Sequence, residues 1–392
     1  MKSKYIAWAI APIFLIGCSD YLETPPSVDY GENEVFATRA DAEKLLTTLY
    51  AEGMPYGFCM SSSNTDRRLL SSSTLASACD EGEDVATWAM GNAAWNAGNH
   101  TNTNFPWDED CRFYLRNHTM RVANLILKRI HEVPFDEGDP DFNKRTTGEA
   151  YFMRAMLLWE GVYRYGGMPI VRDVIDPTDF SQRPRNSFSD CIDSILIDCD
   201  RATQYLPDYY TDNAKLGRAT RIAALALKAR VLLYAASPLF NTSTPYMSFP
   251  GHEDLIGYGN YDRERWKKAA DAAKAAIDAA LASGHYKIHN TGNPDKDYED
   301  VWTIPDNEEI ILGNMKYRNF KTTSRPLVAN LPTWAMNKAW GDAGLYVTFN
   351  FVQHYEKRAD GQPADWNMNG GDNLIDIYNS LDPRFKQTIA YH

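Results

Sequence analysis

From Arg39 to Ser283 apolar residues recur at steps of three and four, in segments separated by stretches rich in Pro, Gly, Asn and Asp. That pattern predicts a succession of amphipathic helices. A short helix is expected over 39–51, and longer ones over 112–131, 147–165, 188–206, 219–236 and 263–283. In the last of these, Trp266, Ala269, Ala270, Ala273, Ile277, Ala280 and Leu281 make one apolar stripe expected to face a core, with Lys267, Lys268, Asp271, Lys274 and Asp278 opposite. Gly284 supplies the expected stop. Segment 219–236 is rich in Ala around most of its circumference, which lets neighbours approach closely and suggests a central helix covered on both sides. The helix starts are about 31 to 44 residues apart, a spacing compatible with antiparallel pairs, although no tetratricopeptide signature is legible.

Beyond Gly284 the texture changes. Trp, Asn, Gly and Pro increase, and Glu308 to Gly313 is the clearest strand candidate. A second irregular region, Gly53 to Asp110, separates the first two helices by more than a compact domain needs for a connector. Long loops on a rigid helical frame are where binding residues usually sit.

At the N-terminus, Lys2 and Lys4 precede an apolar stretch from Tyr5 to Ile16. Twelve helical residues rise only ~18 Å, too little for a ~30 Å hydrocarbon core, so a signal peptide over 1–17 is expected rather than a membrane span. Leu15-Ile16-Gly17-Cys18 resembles a bacterial lipobox, which makes Cys18 the expected lipid-bearing mature N-terminus. The other cysteines are Cys59, Cys79, Cys111, Cys191 and Cys199, an odd set that cannot all pair within the chain. Cys191 and Cys199 lie ~12 Å apart along one predicted helix and cannot bridge. Cys59 with Cys79 is the one pairing entertained.

The chain has 392 residues and a formal charge of −12. That balance argues against a nucleic-acid surface, which needs clustered Lys and Arg, and the 44% hydrophobic content excludes a disordered chain. No Gly-rich phosphate loop, GxSxG elbow, HExxH or EF-hand spacing occurs. His285 and His289 sit after a helix stop and are read as ordinary histidines rather than a metal pair. The acidic run Asp80, Glu81, Glu83 and Asp84 is read as a solvated loop, and Asn367 to Asp372 matches no established Ca²⁺ loop. No metal and no cofactor is expected.

The loop aromatics carry more chemistry. Trp88, Trp95 and Trp107 lie in the first long loop, interleaved with Asn92, Asn96, Asn99, Asn102 and Asn104, and Trp302, Trp334, Trp340 and Trp366 lie in the second half. Indole faces stack on the apolar faces of sugar rings while Asn side chains bond the hydroxyls. Ordinary core packing is the competing reading for each Trp.

Several segments together resemble the SusD/RagB family of outer-membrane nutrient-binding lipoproteins. They are Cys18-Ser19-Asp20-Tyr21-Leu22, Ala78-Cys79-Asp80-Glu81, Trp107 with Ala123-Asn124, Glu149 to Ala155, and Arg164-Tyr165-Gly166-Gly167-Met168-Pro169. The run Arg218-Ala219-Thr220 through Ala235 with Ser237-Pro238-Leu239-Phe240, and Asp382-Pro383-Arg384-Phe385, complete the set. These residues mark a scaffold rather than an active site. The resemblance implies an all-α fold of tetratricopeptide-like helix pairs with long loop insertions and a few short strands. It further implies a single domain over 18–392, in parts of about 18–206 and 207–392. Its C-terminal part is expected to be incomplete, because the chain stops eight residues after Arg384 where family members usually continue. Ala-Cys-Asp-Glu stands where the family more often shows Ser-Asp-Glu. The implied role is non-enzymatic capture of oligosaccharides on the cell outer membrane and delivery to a SusC-like TonB-dependent transporter. By position, the expected glycan-binding residues are Trp88, Asn92, Trp95 and Asn96 from the first loop and Tyr317, Trp334 and Trp340 from the second. The rival readings are a glycoside hydrolase, which would need paired carboxyl groups across a cleft, a peptide-binding nutrient lipoprotein, and a structural protein that meets no sugar.

Overall fold

The computed structural model describes residues 31–54, 79–84, 98, 99, 101, 107–176, 178–304, 306–313, 345–366 and 374–389. The fold is all-α, as the resemblance implies. A one-turn helix α1 (Glu32–Val35) leads into α2 (Arg39–Gly53), α3 (Trp107–Arg129), α4 (Phe142–Tyr165), α5 (Phe188–Tyr205), α6 (Arg221–Ala236) and α7 (Arg263–Ala282). Each packs on its sequence neighbours, most extensively α4 on α5 and α6 on α7. Among the described residues no helix is long and apolar enough to cross a membrane.

Local signals set the helix starts. The side chains of Thr38, Ser187, Thr220 and Asp262 accept hydrogen bonds from backbone amides of the first turns of α2, α5, α6 and α7. Helix α4 starts five residues before its predicted position. Thr146, Thr147 and Gly148 look like a helix start in the sequence, yet they lie inside the helix. Gly148 is needed there because a Cβ would come within 2.8 Å of the Tyr205 and Leu206 side chains at the end of α5. At the other end, Gly166 has φ +76 and closes α4 with its amide donating to the Val162 carbonyl at 2.8 Å. A side chain at Gly166 would also strike the Leu255 carbonyl at 2.2 Å.

Two cores run through this frame. The first joins Leu46 and Leu49 of α2, Ala123 and Ile126 of α3, Phe152 and Met153 of α4 and Ala223 of α6. The second joins Trp159 and Val162 of α4, Ile192, Ile195 and Cys199 of α5, and Val231 and Ala235 of α6, with Phe188 stacked on Phe240 at 4.4 Å. Cys191 and Cys199 are buried free thiols on α5, in keeping with the helical spacing that forbids their pairing. The proposed partner of Cys79, Cys59, lies outside the described residues.

Two predicted packing details are corrected. Helix α6 is covered on both sides by α5 and α7, but α7 buries only the small residues of the stripe expected to face the core. Ala269 and Ala276 are buried, whereas Trp266, Ile277 and Leu281 are 38%, 59% and 61% exposed. The helix sits on α6 through its small residues, which permit the close approach, and the bulky part of the stripe is left on the outside. Residues 308–313 form no strand. Buried Asn307 accepts the Glu309 amide with its side chain at 3.0 Å, and its carbonyl accepts the Ile310 amide at 3.0 Å. The chain therefore turns, and Ile311 and Leu312 pack on the first helical core instead of pairing with a strand.

After α7 come α8 (Pro294–Thr303), α9 (Phe349–Val352), α10 (Leu374–Ser380) and α11 (Pro383–Thr388). Val352, Ala364, Leu381 and Phe385 form a third, small core here. Strands β1 (Gly82–Asp84) and β2 (Leu345–Val347) make an antiparallel ribbon, with Gly82 opposite Val347 and Asp84 opposite Leu345.

Candidate functional site

Trp88, Asn92, Trp95, Asn96, Tyr317, Trp334 and Trp340 lie outside the described residues, as does Cys18. The structure does describe where their segments are rooted. The chain leaves β1 at Asp84, four residues before Trp88, and enters β2 at Leu345, five residues after Trp340. Because the strands are antiparallel with Asp84 opposite Leu345, both points lie at one end of the ribbon. Segments more than two hundred residues apart in sequence thus start from one place.

The ribbon is fixed on the β2 side. The Thr348 amide donates to the Glu81 carbonyl at 3.1 Å, and its hydroxyl donates to the Asp80 carbonyl. The same hydroxyl oxygen accepts the Phe351 amide at 3.2 Å, capping α9, while Val347 packs on the third core. The acidic run read as a loop is therefore partly strand: Gly82 to Asp84 pair with β2, and Asp80 and Glu81 are exposed. No residue in Gly82-Glu83-Asp84 favours a strand, so only the long-range partner reveals it.

The other root of the second segment, Gly313, follows the turn at Asn307. That turn is held by an ionic cluster around His289. His289 Nε2 lies 3.2 Å from Asp300 Oδ2 and 3.9 Å from Asp297 Oδ1, and its Nδ1 lies 3.1 Å from Glu308 Oε1. The Nδ1–Glu308 contact is off the line of a hydrogen bond, so attraction there is through charge. Glu308 and then Asp300 raise the imidazole pKa above its ordinary value, while Thr291 for Asp297, Lys296 for Asp300 and its own backbone amide for Glu308, each aided by His289, hold these carboxylates below the usual range. Lys296 adds a 2.7 Å contact to Asp300, and Lys287 donates its amide to the Glu308 carbonyl at 3.2 Å. His285 stands apart from this cluster, stacked on Tyr209 at 4.7 Å. Among the described residues no cluster of His, Cys, Asp and Glu suits a metal ion.

Within the helical frame, buried polar networks lock the helices together. Arg154 of α4 forms two 2.8 Å hydrogen bonds to Asp198 of α5 and a 3.0 Å bond to Asn124 of α3. Asn124 also donates to the Val171 and Asp173 carbonyls, and Arg172 reaches Asp198 at 3.2 Å. A second network ties α2, α4 and the start of α6. Arg218 donates to fully buried Glu149 at 3.1 Å, and the Ala219 amide donates to the Tyr50 hydroxyl at 2.8 Å. Burial pushes the Glu149 pKa up despite Arg218. Asn124, Glu149, Arg154 and Arg218 thus have the scaffold role read from the sequence; their partners Asp198 and Tyr50 carried no sequence signal. Of the remaining tryptophans, Trp302 on α8 is 75% exposed, while Trp366 packs at 5.1 Å from Phe349 beside the third core. Asn241, in a glycosylation-type triplet, is buried and bonded to Ala236 and Asp262.

Comparison with known proteins gives this geometry a context. The SusD-like family described as starch-binding and associating with the outer membrane matches residues 20–233. No curated protein matches the sequence. Among solved structures, a SusD-like protein from Bacteroides fragilis is 24% identical with a TM-score of 0.64, over 91% of this chain and 62% of its own. A SusD-like carbohydrate-binding protein from the same species gives 17% identity and a TM-score of 0.60, over 91% and 60%. A laminarin-binding SusD-like protein gives 18% and 0.51, over 71% and 51%. The chain therefore spans about three fifths of the length of the first two. With more than half of its residues matched by the family and its helical frame shared with these structures, the chain belongs to the SusD-like (SusD/RagB) family.

Proposed function

We propose that the protein captures oligosaccharides at the cell surface and passes them to a TonB-dependent outer-membrane transporter, without cleaving them. Lipid on Cys18 holds it to the outer membrane. Trp88 and Trp95 with Trp334, Trp340 and Tyr317 stack on sugar rings, and Asn92 and Asn96 bond the hydroxyls.

One observation carries this reading: the ribbon brings the roots of the two aromatic-bearing segments to the same point. A glycan chain needs several stacking surfaces along one face, and two loops rooted together can supply them. The family is described as starch-binding, and one structural neighbour binds laminarin, so glucose polymers are the first ligands to try.

The test is calorimetric titration of an unlipidated Cys18→Ala protein with a polysaccharide panel, each mixture also assayed for new reducing ends. Saturable binding without cleavage, lost in Trp88→Ala or Trp334→Ala, is the expected result. New reducing ends would move the protein to the hydrolase reading. Absence of binding across the panel, with binding of peptides instead, would replace the sugar by a peptide ligand.

A further inference from the structure

A cleft of about 360 Å³ opens where the start of α4, the end of α5 and the 206–216 connection meet. It lies on the helical frame, outside the aromatic-bearing loops. We infer that this cleft is a second carbohydrate site, with the Tyr209 ring as the platform on which a neutral sugar stacks. The inference rests on the reading of the protein as a glycan binder and adds a site to it.

The platform is built before any ligand arrives. Tyr209 is 39% exposed, and its ring lies parallel to His285, with 4.7 Å between centroids and 3° between planes. His285 in turn meets the buried Tyr286 ring edge-on at 4.8 Å, and the Tyr286 hydroxyl reaches the Asp208 carbonyl at 3.4 Å. The connection carrying Tyr209 is pinned on both sides of it. Arg221 grips the Asp208 carboxylate with two hydrogen bonds, one of 3.0 Å, and the Tyr210 hydroxyl donates to the Ala219 carbonyl at 3.1 Å. An aromatic ring backed on one side and held by its neighbours loses little entropy when a ligand covers its other side.

The lining holds as many acidic as basic side chains. Asp139, Asp141 and Asp212 face Lys144, Arg145 and Lys215, so the lining carries no formal net charge. Asp139 is already taken by Arg145 at 2.6 Å and Lys215 at 3.5 Å, and Arg145 holds its pKa below the usual range. Lys144, Gln204 and Asp141 are exposed at the rim, and the Asp141 side chain makes no capping bond to α4. The rim therefore offers donors and acceptors together beside one aromatic face, which is the combination a polyhydroxylated ring requires. The volume falls within the ~300–1,000 Å³ usual for small-ligand clefts.

The test titrates laminarin and starch oligosaccharides into the Cys18→Ala protein, its Tyr209→Ala, Tyr209→Phe and Gln204→Ala variants, and a Trp88→Ala/Trp340→Ala protein. Two classes of sites are expected in the parent. Tyr209→Ala should weaken one class roughly tenfold or more and leave the other, Gln204→Ala should weaken the same class less, and Tyr209→Phe should retain it. Circular dichroism of all variants should match the parent. A single class of sites, abolished by the loop substitutions and untouched by Tyr209→Ala, would overturn the second site while leaving the glycan reading intact. A parent that binds no saccharide at all would overturn both. Should Tyr209→Ala fail to fold, Gln204→Ala with the Tyr209→Phe control decides the matter.

Discussion

The helical frame and the C-terminal region solve the same problem with very different means. Helices α2 to α6 share two cores, reinforced by the Arg154–Asp198–Asn124 and Glu149–Arg218 networks. Residues 345–389 rely on four buried apolar residues and on a three-residue ribbon that borrows its partner strand from residues 82–84. The frame is held from within, whereas the C-terminal region is held in part by the segment it helps to position. A rigid frame with a lightly held edge suits a binding protein, because the loops can change while the helices do not.

This contrast can be broken at several places. Phe152→Ala, in the first core, should cost the whole frame about 4 kcal/mol, measured by chemical denaturation. Arg154→Ala strands Asp198 with only the partly exposed Arg172 and the more distant Arg201, and should cost about 3 kcal/mol in the same assay. Phe385→Ala acts on the small core, whose surroundings can partly collapse, and should cost about 2 kcal/mol locally. Hydrogen exchange should then show faster opening of residues 345–366 and 374–389 with α4 and α5 unchanged; equal loss across the frame would mean that the two regions are held as one.

The smallest effect concerns pH. A raised His289 pKa means that its contribution is complete below the ordinary imidazole value of 6.5 and is lost as pH rises through the folded-state value. The lowered pKa values of Asp297, Asp300 and Glu308 make their contribution complete above the ordinary carboxylate range and lost as pH falls through the folded values. The cluster should hold residues 285–313 best in mildly acidic solution. Their amide exchange, corrected for intrinsic rate, should quicken between pH 6 and pH 9 in the parent and not in His289→Ala.

Much of the frame was legible because helices announce themselves locally. The caps at Thr38, Ser187, Thr220 and Asp262 and the stop at Gly166 are short-range signals, and the predicted ends of α2, α5 and α7 fall within about two residues of the observed ones. What failed was decided by tertiary contact. The start of α4 reads as Thr147 although the helix begins at Phe142, and Glu308 to Gly313 reads as a strand until Asn307 turns the chain. The apolar stripe of α7 was visible, but its partner was not, so its bulky members Trp266, Ile277 and Leu281 were assigned to the core although only its small residues are covered. Of the candidate site, the aromatic residues were legible as chemistry, while the ribbon that gathers their segments depends on a pairing between residues 84 and 345 that no local pattern encodes.

In a capture site of this kind the two aromatic-bearing segments serve one ligand. Titrating a laminarin or starch oligosaccharide into the Cys18→Ala protein, its Trp88→Ala and Trp340→Ala variants and the double variant tests this directly. If the ribbon roots one shared face, each single substitution weakens the same binding event, and the double variant loses less than the sum because the two rings are coupled. Loss confined to one segment, with the other free of effect, would contradict it.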